Sequence, residues 1–148
     1  MTIITDDVTP QLAAMRERLG HPAPVLEGPV ADGVREVFKK QFESQGTYGG
    51  EPWDQLSAET TMKGGVWGDV LVRDGTLEAS LTVKGASYSH ASMLNEHTLA
   101  VGSDAPGGFF AEMGTLHEPR RPIIPDVAQA DRDHWAELVT DWITEGRL

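Results

Sequence analysis

The chain contains no cysteine, which excludes disulfide staples and thiolate metal sites and fits a reducing compartment. Basic residues are scarce: 12 Lys and Arg stand against 23 Asp and Glu, for a formal charge of −11. So acidic a surface repels phosphate backbones and anionic lipid heads, which disfavours direct nucleic-acid or membrane binding. Long apolar runs are also missing, since none approaches the ~18 residues that a membrane span requires. The opening MTIITDDVTP has no basic region and only a short apolar run, so no secretory leader is expected. The protein reads as soluble and cytosolic when made.

Catalytic signatures are equally thin. The five histidines are His21, His90, His97, His117 and His134, and none falls into H-E-x-x-H or a comparable metal-binding spacing. His90 and His97 flank an expected turn and would face each other across a hairpin. No G-x-S-x-G is present, and without cysteine there is no thiol nucleophile. The glycine pairs 49–50, 64–65 and 107–108 do not open helices after strands, so they do not read as phosphate cradles. Acidic residues abound, but on an acidic surface abundance alone has no catalytic meaning. The expectation is no enzyme, no cofactor and no metal.

What is present is an ordinary globular composition, 39% hydrophobic and 24% charged over 148 residues, about one domain. Thr9, Pro10 and Gly20 frame a helix over 9–19 with Val8, Leu12, Met15 and Leu19 on one stripe. GHPAPVLEGP follows, with three prolines and two glycines in ten residues, and reads as a linker that stops helix propagation. Together these make an N-terminal segment over 1–29. A second helix is expected from Ala31 or Asp32, with Asp32 as cap, to before Gly46. Val34, Val37, Phe38 and Phe42 form its buried face; Arg35, Glu36, Lys39, Lys40 and Glu43 face water, and Glu36 and Lys40 are spaced to pair.

Gly46 to Lys63 has turn chemistry around a lone Trp53, which either plugs the core or anchors a partner. Ser57 to Thr60 fits a short capped turn or a loop, and an excursion is expected over 58–72. Leu77, Ala79, Leu81 and Val83 alternate with Glu78, Ser80, Thr82 and Lys84, the period of a half-buried strand. Further strands are expected over 86–94, 97–102 and 109–113. The fold class is therefore α+β: a small antiparallel sheet of about four strands with helices on one face. Prolines 119, 122 and 125 keep the next stretch extended, and Asp126 is expected to cap a last helix over 127–144. Its Trp135 and Trp142 lie seven apart and share a face.

Phe42, Gly50, Trp53, Leu56, Ser57, Thr60, Leu71, Gly75, Leu77 and Ser80, then Pro119, Arg121 and Pro122, form an ordered pattern over residues 38–124. In that order it resembles the small tail-completion and virion-morphogenesis proteins of tailed bacteriophages, the Mu-like group. Here Ile123-Ile124 stands where that group commonly has Phe-Leu, and the stretch around Gly107–Thr115 aligns loosely. The N-terminal 1–29 lies outside the resemblance, 30–125 forms the core that carries it, and 126–148 adds the last helix.

The resemblance implies a structural virion protein of the neck, assembled as a hexameric ring that joins or terminates the tail at the head. Its partners would be further copies and other neck and tail proteins, with DNA passing through the lumen and no specific nucleic-acid or membrane contact. It would act in the virion after assembly in the host cytoplasm. Interface candidates are Trp53, Trp67, Leu71 and Arg73, the last three in or beside the 58–72 arm, with Arg120 and Arg121. The two arginines concentrate positive charge on an acidic chain, and a guanidinium fork suits a neighbour's carboxylate or one in its own core. The competing expectation is an acidic adaptor or inhibitor that mimics nucleic acid toward a basic partner; a small hydrolase ranks below both.

Overall fold

The computed structural model describes residues 8–56, 70–71 and 74–148. Its elements in chain order are α1 (Val8–Gly20), α2 (Ala23–Val25), a π turn (Leu26–Val30), α3 (Ala31–Glu43) and a 3-10 turn (Thr47–Gly49). Then come α4 (Thr76–Thr82), β1 (Ser89–Asn95), β2 (Thr98–Ser103), α5 (Gly108–Met113) and α6 (Gln129–Glu145). The fold is α+β with helices at both ends, but among the described residues the sheet has two antiparallel strands instead of about four.

The two missing strands are short helices. Over Thr76–Thr82 the alternation of Leu77, Ala79 and Leu81 also contains the i,i+4 pair Leu77/Leu81, so the same residues serve either period. Local chemistry selects the helix. Gly75 takes a left-handed φ of 75° to start the turn, and Asp74 Oδ1 accepts the Thr76 N–H at 3.0 Å. Ser80 is then fully buried beside Leu81, its hydroxyl donating to the Leu77 carbonyl. Gly107, at φ 91°, starts α5 in the same way, and Gly114 closes it by donating to Phe110 O. On α5 only Ala111 goes into the core; a strand would have set Phe109 and Met113 beside it.

The proline-rich stretch expected as a linker is helical. Pro22 and Pro24 occupy the start of α2, where a missing N–H costs nothing, and the chain turns through Leu26–Val30 into α3 with a kink at Gly28 (ψ −109°). Asp32 does not cap α3; its carboxylate accepts Arg35 Nη1 at 2.8 Å. Arg35, expected in water, is 6% exposed. Lys40 reaches Asp131 on α6 at 2.7 Å.

Phe38 and Phe42 of α3 centre the core, with Trp53, Val70, Leu81, Ala111 and Ile123. Val34, Leu56, Leu71, Leu77 and Val101 pack around it. The β1–β2 hairpin is joined to this cluster through Val101 and through a 2.6 Å hydrogen bond between the Ser80 and Ser103 hydroxyls.

α6 docks across the start of α3, where Trp135 lies against Gly33 so closely that a Cβ there would sit 2.4 Å from the indole nitrogen. Asp126 does not cap α6: the N-cap is Ala128, whose N–H is taken by the Tyr48 hydroxyl at 3.1 Å. At the far end Arg18 of α1 donates to the Ile143 and Thr144 carbonyls, meeting the negative end of the helix. The apolar stripe of α1 stays mostly outside, with Met15 half-buried and Val8, Leu12 and Leu19 each more than half exposed.

Candidate functional site

Part of the pattern singled out in the sequence converges on one place: Phe42 and Trp53 lie in the core cluster with Leu56, Leu71 and Leu77 packed on it, whereas Pro119 is exposed. Phe42 and Trp53 meet edge to face, with centroids 5.3 Å apart and planes at 82°. The indole of Trp53 is 3% exposed, and its Nε1–H donates to the Pro122 carbonyl at 2.8 Å. Gln41, 2% exposed, donates to the same oxygen from Nε2, also at 2.8 Å, while its Oε1 accepts the Gly49 N–H. Both lone pairs of Pro122 O are thus used, which ties the glycine-rich turn and α3 to the proline-rich segment.

Gly46 holds φ at 94° under the indole ring, and a Cβ there would meet Trp53 Cδ1 at 2.5 Å. Gly75 and Ser80 supply the start and the buried face of α4. Ser57 and Thr60 lie outside the described residues.

The two arginines have different fates. Arg121 is 7% exposed, and its Nε donates to the Asp54 carbonyl at 2.9 Å, a backbone oxygen of its own chain and not a carboxylate. Arg120 stays at the surface, donating to Glu112 through Nε to the carbonyl and Nη2 to the carboxylate. Leu71, at φ 67°, packs against the core cluster. Trp67, Arg73 and most of the 58–72 arm lie outside the described residues.

Beside this node is a cleft of about 370 Å³ whose rim is formed by Gly49, Gly50 and Glu51 on one side and Arg120, Ile124 and Pro125 on the other. Its charged groups are Glu51, Asp54 and Arg120, and among the described residues its lining has no hydroxyl or imidazole. The histidines stand elsewhere. His90 pairs with Gly102 across the hairpin while His97 sits at the turn, so the two do not face each other. His90 Nε2 instead lies 2.6 Å from Asp104 Oδ2, both groups exposed. Among the described residues no cluster of His, Asp and Glu is placed to hold a metal ion, and no helix is long and apolar enough to cross a membrane.

Two features had little signal in the sequence. Glu112 binds the Ile123 and Ile124 N–H groups with one carboxylate oxygen, at 2.6 and 3.0 Å, and Arg120 with the other. Tyr48, Lys40 and Asp131 form the second, with Tyr48 Oη donating to Asp131 Oδ2 at 2.7 Å and the Lys40 ammonium 5.7 Å from the Tyr48 ring centre. Hydrogen bonds from Lys40 and Tyr48 hold the Asp131 carboxyl below its usual range. The bond to Asp131 raises the Lys40 pKa, and burial, then the same carboxylate, raises that of Tyr48.

On and around α5 a row of apolar side chains faces solvent: Phe109 (71% exposed), Phe110, Met113, Leu116 (99%) and Ile124. Phe109 and Phe110 contact each other at 5.8 Å. Comparison of the chain with protein-family models, with curated proteins and with solved structures returns no match.

Proposed function

We propose that the protein is a structural subunit of a tailed-phage neck, completing or terminating the tail as a ring at the head–tail junction. The observation that carries this reading is the convergence of the pattern. Phe42, Trp53, Leu71, Leu77, Ser80, Arg121 and Pro122, scattered over eighty residues of chain, meet in one packed, hydrogen-bonded unit with no reactive pair among them. Such a pattern specifies a scaffold, and a scaffold acts through its surface. The apolar row on α5 and Ile124 is the surface that a neighbouring subunit would cover, with Arg120 at its edge to meet an acidic neighbour. Copies joined head to tail make heterologous contacts that close into a ring. Part of the acidic surface would line the lumen and let DNA slide through without sticking.

The test is a stop codon at Trp53 in the genome that encodes the chain, followed by electron microscopy of lysates. DNA-filled heads beside unattached tails, or tails of uncontrolled length, are the expected result. Normal infectious particles would overturn the assignment and favour the acidic adaptor, which would then be sought by capture of a basic partner.

A further inference from the structure

The β1–β2 hairpin is the least charged part of the chain. From Ala86 to Ser103 its sole Asp, Glu, Lys or Arg is Glu96, at the turn, whereas a quarter of the whole chain is charged. Both strands are edges among the described residues, since the sheet has two. Exposed strand edges are normally guarded by lysine, proline, inward charges or a bulge, because their free N–H and C=O groups template pairing with another chain. On β1 the sequence Ser89-His90-Ala91-Ser92-Met93 has none of these, and the register irregularity comes only after Met93. His90, Ser92 and Leu94 on one face and Ala91 on the other are exposed, while Ser89 and Met93 beside Ala91 are half-buried.

The ladder fixes which groups point outward. Asp104 N–H donates to Tyr88 O, so in an alternating antiparallel ladder Tyr88, His90 and Ser92 turn their backbone groups toward β2. Ala91 and Met93 then direct both their groups to the open edge, and Ser89 its carbonyl alone, its N–H being bonded to Ala86 O at 3.0 Å. We infer that this edge pairs with the β1 strand of a second copy, antiparallel about a two-fold axis at Ala91. Ser89 then lies opposite Met93 of the second copy, Ala91 opposite Ala91, and His90 opposite Ser92. The strand is self-complementary in this register and brings no charges of like sign face to face.

Charge is what places a second copy at this edge. Two chains of −11 repel over most of their surfaces, and the hairpin is where they approach with the least of that cost. A two-fold contact is isologous and cannot close a ring, so it links copies in pairs, independently of any head-to-tail contact. It therefore stands whether or not the neck reading does.

The absence of cysteine makes the test direct. Directly opposed residues on antiparallel strands have Cβ atoms about 4.5–5.5 Å apart, within reach of a disulfide after slight adjustment. In Ala91→Cys full-length protein, mild oxidation should give a disulfide dimer much faster than in Glu137→Cys, which places the thiol on the exposed face of α6. Sedimentation equilibrium of the wild type should show a monomer–dimer equilibrium. Ala91→Lys, which sets two ammonium groups opposite each other, should weaken it at least about tenfold with an unchanged circular dichroism spectrum. A wild type that stays monomeric to about 1 mM, or Ala91→Cys oxidising no faster than Glu137→Cys, overturns the inference and leaves the edge to a strand of another protein.

Discussion

Removing both donors from the Pro122 carbonyl should cost more than the sum of removing each. Trp53→Phe deletes the indole N–H and shrinks the ring, which costs about 1 kcal/mol for the hydrogen bond and about 1 kcal/mol for the lost packing. Gln41→Leu fills the same volume with apolar atoms but loses the bonds to Pro122 O and from the Gly49 N–H, about 2 kcal/mol in all. In either single variant the carbonyl keeps one partner. In the double variant it has none, and because Pro122 is half-buried on the wall of the cleft, where water recovers part of the loss, the orphaned acceptor costs about 1–2 kcal/mol more. The double-mutant cycle should therefore show a coupling of about 1–2 kcal/mol, the double variant being the less stable. Because the Gly49 N–H loses Gln41 equally with and without the indole, and keeps its bond to Gly46 O, it cancels from the cycle. Urea unfolding followed by far-UV circular dichroism gives the four stabilities. Additivity within about 0.5 kcal/mol would refute a shared acceptor as the link between the turn and the proline-rich segment.

Two further perturbations probe the supports of this node. The Asp131 carboxylate is held below its usual pKa by Lys40 and Tyr48, so its contribution is full above about pH 4 and is lost as pH falls through the lower folded value. Lys40 and Tyr48 are raised, so their share is present below their ordinary values and is lost as pH rises through the folded ones. Asp131→Asn should cost about 1 kcal/mol at neutral pH, the pair being partly exposed, and should flatten the acid limb of the stability–pH curve; an unchanged limb would count against the network. Gly46→Ala should cost about 2 kcal/mol or more through its positive φ and the indole in its path, whereas Gly50→Ala, at φ 132° with open space around it, should cost only the backbone strain. Thermal unfolding that ranks the two equally would remove the packing of Trp53 on Gly46 from the explanation.

The long elements were legible because their patterns are redundant. α3 carries Val34, Val37, Phe38 and Phe42 at helical spacing and runs from Ala31 to Glu43, inside the span expected. The last helix is two residues late at its start and one at its end, since its first turn is finished by Tyr48, eighty residues away, and not by the nearby Asp126. The hairpin was visible from its Asn95-Glu96 turn and from the alternation over 97–102, although the run over 86–94 has mixed polarity. Thr76–Thr82 and Gly108–Met113 were not, because in six or seven residues a period of 2 and a period of 3.6 share most of their apolar positions. The deciding information lay in the residues before them: Gly75 and Gly107 take the left-handed conformation and turn the chain into a helix.

The site was legible to the extent that it is apolar. Phe42, Trp53 and Leu77 announce burial by residue type, and their chain order was enough to group them. Arg35, Gln41, Glu112 and Arg121 did not, because a polar side chain gives no sign of where its partner lies. Gln41 sits one position before Phe42 and three after Phe38, on the face that the helical period turns inward. Its position therefore carried the signal that its chemistry hid. Arg121, Ile123 and Pro125 are buried alternately with the exposed Arg120, Ile124 and Asp126, a period of 2 that the three prolines obscured. That alternation decides the fates of the neighbouring arginines. Arg121 turns inward and locks the Asp54 carbonyl, whereas Arg120 turns outward and holds Glu112 at the surface.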